Sequence, residues 1–252
     1  MTTGGQTARS WRALRIFRAF GVDVYLHWSW LIGLLIVPQL PRILHRLYGR
    51  VEGPQVPLWL GIVEYLCLFA IVLLHEFGHA LACQSVGGRA NQIVLWPLGG
   101  IAFVQPPPRP GAVLWSIAAG PLVNVLLTPL LILVALAVYA TPLRDVPWLL
   151  ELTMQIAGIN LTLLIFNMLP IFPLDGGQIL QALLWFIIGR ANSLLVCAVL
   201  GIVGAAGMGL VGYLIDPWLI LLAAFAMMYS ISAVRMALAM IRAQQDASTQ
   251  SG

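Results

Sequence analysis

The sequence predicts an all-α polytopic membrane protein with about six transmembrane helices and a small β-hairpin at membrane level. Three observations predict it. Only 9% of the 252 residues are charged and 60% are hydrophobic, whereas soluble domains are about a quarter charged. Too little charge is present to coat a surface in water. Windows of about 20 mostly apolar residues, long enough to cross a bilayer, recur through most of the chain. One interruption, residues 90–104, carries two short β-prone runs around Pro-Leu-Gly-Gly, which is a hairpin signal.

Taken in order, the apolar windows run over residues 22–40, 57–82, 112–139, 148–169, 192–215 and 218–241. The second ends before Gly87-Gly88, the third follows Pro106-Pro107-Pro108, and the fourth stops at Pro170 and Pro173, each a place where a helix cannot easily continue. Backbone such as residues 90–104 is tolerated at membrane depth only where it is buried in protein or lines a wet cavity. Residues 170–177 form a second, Pro- and Gly-rich break. The chain divides into an Arg-rich cytoplasmic arm (1–21), a transmembrane domain (22–242) and a polar tail (243–252) that is expected to fray.

All 13 basic residues are Arg. With both termini in the cytoplasm, Arg9, Arg12, Arg15, Arg18, Arg89, Arg109, Arg190, Arg235 and Arg242 face that side, and Arg42, Arg46, Arg50 and Arg144 face the other. Nine against four supports this orientation. An Arg-rich arm before a hydrophobic span touches anionic lipid, and with no nucleic-acid fold beside it, nucleic acid is not an expected partner. Arg without Lys points to a GC-rich prokaryotic genome. Cys67, Cys83 and Cys197 lie in apolar surroundings and give no disulfide framework. The arm lacks a small-residue cleavage site, so the first span is expected to stay in the protein.

Residues 71–82 read Ile-Val-Leu-Leu-His-Glu-Phe-Gly-His-Ala-Leu-Ala. One helical turn separates His75 from His79, so both imidazoles project from one face and can share a Zn²⁺. Glu76 can reach a zinc-held water without being a ligand and take its proton, because zinc lowers the water's pKa toward ~7. A chance origin is a poor account. A charged group near the centre of a span costs at least ~2.5 kcal/mol on insertion scales. With four His and four Glu in the chain, the pattern is expected on the order of one time in a thousand.

A catalytic zinc site normally takes three protein ligands and keeps one position open. Asp175, in Phe-Pro-Leu-Asp-Gly-Gly, and Cys83 are the candidates for the third. Asp175 sits at the broken cytoplasmic end of the fourth span, where Gly176 and Gly177 leave the backbone free to turn. Cys83 continues the i+4 series of His75 and His79, but three ligands on one straight helix cannot easily surround one ion.

These residues resemble the site-2 protease family of intramembrane zinc metalloproteases. The resemblance rests on His-Glu-Phe-Gly-His at 75–79, Ala-Gly-Pro-Leu-Val-Asn at 119–124 and Asn-Met-Leu-Pro-Ile-Phe-Pro-Leu-Asp-Gly-Gly at 167–177. It extends from about Val22 to Ile241 and implies a compact member without PDZ or CBS domain. It implies one zinc per chain held by His75, His79 and Asp175, with Glu76 as catalytic base. Asn167 would steady the substrate carbonyl or its oxyanion, and residues 90–104 would offer a strand edge near the site. The implied activity is hydrolysis of peptide bonds within or near transmembrane segments, on single-span membrane-protein substrates in the lipid bilayer. Gln178 stands where many relatives carry Arg.

Other polar residues carry weaker signals. Asn160 and Asn167 lie on one face of the fourth span, where interhelical hydrogen bonding is the ordinary role. Asn124 can pack behind the zinc site. Glu64 lies on nearly the same helix face as His75 and can line a water path. His27, beside Trp28 and Trp30, reads as an interfacial anchor, and His45 as a loop residue. A second class of function, a zinc carrier or sensor without hydrolysis, uses the same ligands. Glu76 discriminates, since a pure binding site has no use for a base beside its first histidine.

Overall fold

A computed structural model describes residues 13–36, 57–96, 99–215 and 218–250. Arg9, Arg12, Arg42, His45, Arg46, Arg50, the end of the first predicted span and the Pro97-Leu98 part of the hairpin turn lie outside these residues. The strands are β1 (Ala13–Ala19), β2 (Val22–His27), β3 (Arg89–Trp96) and β4 (Gly99–Gln105). The helices are α1 (Ser29–Ile36), α2 (Leu58–Ser85), α3 (Pro110–Ala140), α4 (Pro147–Asn167), α5 (Asp175–Ile188), α6 (Arg190–Leu214) and α7 (Trp218–Gln250). Among the described residues, five helices are long and apolar enough to cross a membrane: Leu58–Ser85, Pro110–Ala140, Trp148–Asn167, Arg190–Leu214 and Leu219–Thr249. They coincide with the second to sixth predicted spans.

The first predicted span differs. Val22–His27 is a strand, and helix begins only at Ser29. The expected hairpin is real, but it forms half of a four-stranded sheet in the order β1-β2-β3-β4. β1 pairs antiparallel with β2, β2 parallel with β3, and β3 antiparallel with β4. The reason lies in alternation: Val22 and Val24 are fully buried, while Asp23 between them turns outward to Arg15 at 2.7 Å. Phe20 and Gly21 make the β1–β2 turn with φ of 51° and 79°, the left-handed pair that a two-residue hairpin requires. Part of the arm is therefore folded.

The chain divides into two compact units, residues 1–106 with 122–164, and 107–121 with 165–252. In the first, the sheet packs on α2 through Val22, Val24, Ala90, Ile93 and Leu95 against Phe77, Ala80 and Cys83. Helix α2 ends as its sequence requires. Gly87 takes φ 83°, its N–H donates to the Gln84 carbonyl, and the Gly88 N–H donates to the Cys83 carbonyl. This double closure is a Schellman end, and it needs a residue free to adopt the left-handed region.

In the second unit, α6 packs on α7 through Leu194, Ala198, Ala233 and Ala237. Residues expected to form only a break and loop contain α5, which starts at Asp175. Gly176 and Gly177 serve close approach rather than a turn: neither has positive φ. A Cβ at Gly176 would stand 2.6 Å from the Leu169 carbonyl oxygen, and one at Gly177 2.8 Å from the Phe172 nitrogen. The polar tail does not fray at Arg242, because α7 continues to Gln250. Leu126, Leu130, Leu133, Val203 and Leu210 are exposed along their helices. Helices that present apolar side chains outward suit hydrocarbon as solvent.

Candidate metal centre

Helix α2 carries His75, Glu76 and His79, each buried with 6–7% of its surface exposed. The one-turn spacing brings the two rings edge to face, their centroids 4.7 Å apart. Their Nε2 atoms lie 3.0 Å from one another. The other nitrogen of His75, Nδ1, lies 2.6 Å from Asn124 Oδ1 on α3. A carboxamide oxygen accepts only, so Nδ1 carries the proton and Nε2 presents its lone pair toward His79. Two nitrogens so close in a buried place require either a shared proton or a cation between them. Neutral imidazoles with a carboxylate are the donor set that zinc takes. The residues present fit a zinc ion.

Glu76 points to the sheet. Its Oε2 accepts the backbone N–H of Ala102 on β4 at 2.8 Å. This approach depends on Gly100, where a Cβ would stand 2.8 Å from Glu76 Cδ. Sequence reasoning placed the hairpin near the site but missed Gly100. Pro-Leu-Gly-Gly signals a turn, yet Gly100 belongs to the strand and its missing side chain makes room for the carboxylate.

Behind His75 lies a buried polar cluster, with Asn124 and Asn160 both fully buried. Asn124 Nδ2 donates to Asn160 Oδ1 at 2.8 Å, and Asn160 Nδ2 donates to the Asn124 carbonyl and to Thr128 Oγ1. Asn160 thus links α3 and α4, the interhelical role expected of it. Asn167 is the last residue of α4 and is half-buried. His27 contacts Ser29 and the Trp28 ring, as an interfacial residue at the end of β2.

Asp175 is the first residue of α5 in the second unit. His75 and His79 belong to the first unit. Cys83 is fully buried in the core between helix and sheet, and its Sγ donates to the Arg89 carbonyl at 3.6 Å.

The family model for peptidase family M50 matches residues 63–146 and 146–210. A zinc metalloprotease of Methanocaldococcus jannaschii is 30% identical over 189 residues, 75% of this chain and 50% of that protein. Stage IV sporulation protein FB of Bacillus subtilis is 36% identical over 121 residues, 46% of this chain and 38% of that protein. The chain thus spans half or less of the length of these two relatives. The solved structure of the site-2 protease from Methanocaldococcus jannaschii matches with a TM-score of 0.58 at 26% identity, over 88% of this chain and 95% of that one.

Proposed function

The chain belongs to peptidase family M50 and is a multi-pass membrane protein, and from that premise we propose that it is an intramembrane zinc metalloprotease. It hydrolyses peptide bonds within or near transmembrane segments of single-span membrane proteins. The observation that carries this reading is the pair of converging imidazoles with Glu76 beside them, its carboxylate fixed by a strand of the sheet. A carrier or sensor needs the imidazoles but not the fixed carboxylate.

His75, His79 and Asp175 hold the zinc ion in this reading. When bound, zinc activates a water for attack and polarises the scissile carbonyl. Glu76 takes the proton as the water oxygen bonds to the carbonyl carbon. It returns that proton to the departing amide nitrogen as the carbon–nitrogen bond breaks. Asn167 donates to the oxygen on which charge develops. A substrate helix hides its carbonyls in i→i+4 bonds and must unwind first, and the outer edge of β4 holds the unwound segment by strand addition. Both termini lie in the cytoplasm of a prokaryotic cell, with the site near the cytoplasmic face of the membrane. The protease domain is 22–242, with the 1–21 arm and the 243–252 tail on the cytoplasmic side.

Two substitutions test the reading. Glu76→Gln keeps size and the bond from Ala102 but cannot take a proton at neutral pH, so cleavage of a tagged single-span substrate should stop while about one zinc per chain remains. Asp175→Ala leaves two neutral imidazoles, and zinc and cleavage should be lost together. Normal cleavage by Glu76→Gln would sink the enzyme reading, and full zinc in Asp175→Ala would sink the ligand assignment. Cysteine labelling that placed Arg89 or Arg109 outside the cell would overturn the topology.

A further inference from the structure

The buried cluster behind His75 has a direction, and it can be read from its far end. The backbone carbonyl of Asn124 can only accept a hydrogen bond, so the Asn160 atom 3.0 Å from it is the amide nitrogen. That leaves Asn160 Oδ1 facing Asn124, at 2.8 Å from what must then be the donor, Nδ2. With Nδ2 so occupied, Asn124 turns Oδ1 to His75 Nδ1 at 2.6 Å. Each step admits one assignment. Thr128 reinforces the start: its hydroxyl donates to the same Asn124 carbonyl at 2.8 Å and accepts from Asn160 Nδ2 at 2.9 Å.

We infer that Asn124 and Asn160 are positioning residues that fix the tautomer and ring plane of His75, so that Nε2 is always the nitrogen offered to the metal. A lone histidine in an apolar span exchanges its tautomers freely, and in one of the two Nε2 carries the proton and cannot bind a metal. Nδ1–H donated to a fixed oxygen removes that state, and it also stops rotation about the bond that carries the ring. Asn124 and Asn160 are fully buried, so no water replaces the partner either one loses. Asn160 acts at one remove: without it nothing prevents Asn124 from turning its amide nitrogen to the ring and selecting the wrong tautomer.

This inference rests on His75 being a metal ligand, and the experiment separates the two claims. The purified full chain in detergent is titrated with zinc against a chelator of known affinity. The variants are Asn124→Leu, Asn124→Asp, Asn160→Leu and His75→Ala, and thermal stability is measured on the same samples. Leu fills the space of Asn124 but accepts nothing, so the zinc affinity of the folded protein should fall by roughly 10–100-fold, with some loss of stability from the partners left buried. Asp accepts from His75 but cannot donate to Asn160, so affinity should stay within about threefold of the parent although stability falls. A residue that only packs predicts the reverse order. Asn160→Leu should lie between the two in affinity. Nitrogen NMR of the metal-free protein with labelled histidine should show His75 protonated at Nδ1 in the parent, and both tautomers in Asn160→Leu. Parent-like affinity in Asn124→Leu, or an equal loss in Asn124→Asp, would overturn the inference. If His75→Ala kept parental zinc affinity, the ligand reading would fall instead.

Discussion

The α6–α7 pair and the α2–α3–α4 group solve the same problem in opposite ways. Lipid is as apolar as leucine, so helices inside a membrane gain little from burying apolar surface against one another. The α6–α7 pair answers with small residues: Ala198, Ala205, Ala233 and Ala237 are buried at its contact. A Cβ on Gly201 would stand 2.5 Å from Ser230 Oγ of α7, and one on Gly212 2.8 Å from the Ile220 nitrogen. The α2–α3–α4 group answers with buried amides and an imidazole bonded in series. Close packing tolerates no added atoms, whereas a polar cluster tolerates no lost partner. The proposed imidazole ligands sit where the second device is used, because a metal site already requires polar groups out of reach of water.

The sharpest way to break this contrast is to overfill the close-packed pair. Gly201→Leu forces a branched side chain into backbone and should destabilise by about 1–3 kcal/mol or prevent folding. Zinc and cleavage should be lost in parallel with the folded fraction, as read by thermal unfolding beside metal analysis. A stable Gly201→Leu protein would mean that the helices are not held by close approach.

Gly100→Ala asks the same question of the catalytic side, with a different expected answer. The added methyl meets Glu76, so the carboxylate has to shift, and a shift of about 1 Å can cost roughly 100-fold in rate. Zinc content should stay near the parent, since the atoms nearest the added methyl all belong to Glu76. Loss of zinc along with activity would show that Glu76 placement and metal holding are not separable.

These cases also show what the sequence could reveal. Long apolar windows and the His-Glu-Phe-Gly-His spacing were legible because each is a local, periodic signal that needs no partner. Val22–His27 was not, since a short apolar run leading into an apolar helix cannot be told from the start of that helix. Pairing on both sides, with β1 through a tight turn and with β3 at a sequence distance of about 70 residues, makes it a strand. Gly176 and Gly177 were noticed for the right place and the wrong reason, because torsional freedom and close approach favour the same residue. Asn124 was read as packing near the site, but the direction of its bonds depends on Asn160, and no pattern within one helix encodes that.

The edge of β4 offers a milder test. Proline at Val94 or Phe103 is the choice the hairpin pattern suggests. The sheet corrects both: β3 lies between two partners, and because the Ala102 N–H points to Glu76, away from β3, the alternation of the strand turns that of Phe103 inward. Val104 is the residue whose N–H shares the outward side. Val104→Pro should remove one donor from the outer edge without breaking the ladder. Cleavage should slow by about tenfold, roughly one hydrogen bond, with zinc unchanged. An unchanged rate would mean that substrate does not add to this edge at Val104.

The smallest effect should come from Cys83, and it decides between two ligand sets. A thiolate is a strong zinc ligand, and Cys83 continues the spacing of His75 and His79 along α2. Its surroundings argue the other way. The side chain is fully buried among Phe77, Ala80, Ala90 and Leu95, in the core that joins α2 to the sheet. Its Sγ reaches the Arg89 carbonyl at the far side of the helix end, and a Cβ on Gly88 would collide with it. Cys83→Ala therefore removes one packed sulfur atom and a weak bond. It should cost about 1 kcal/mol in stability, through a cavity the size of a methyl group or little more. Zinc stoichiometry, chelator-competition affinity and cleavage should match the parent within error. A fall in zinc affinity comparable to that of His79→Ala would place the thiolate on the metal and displace Asp175 from the ligand set.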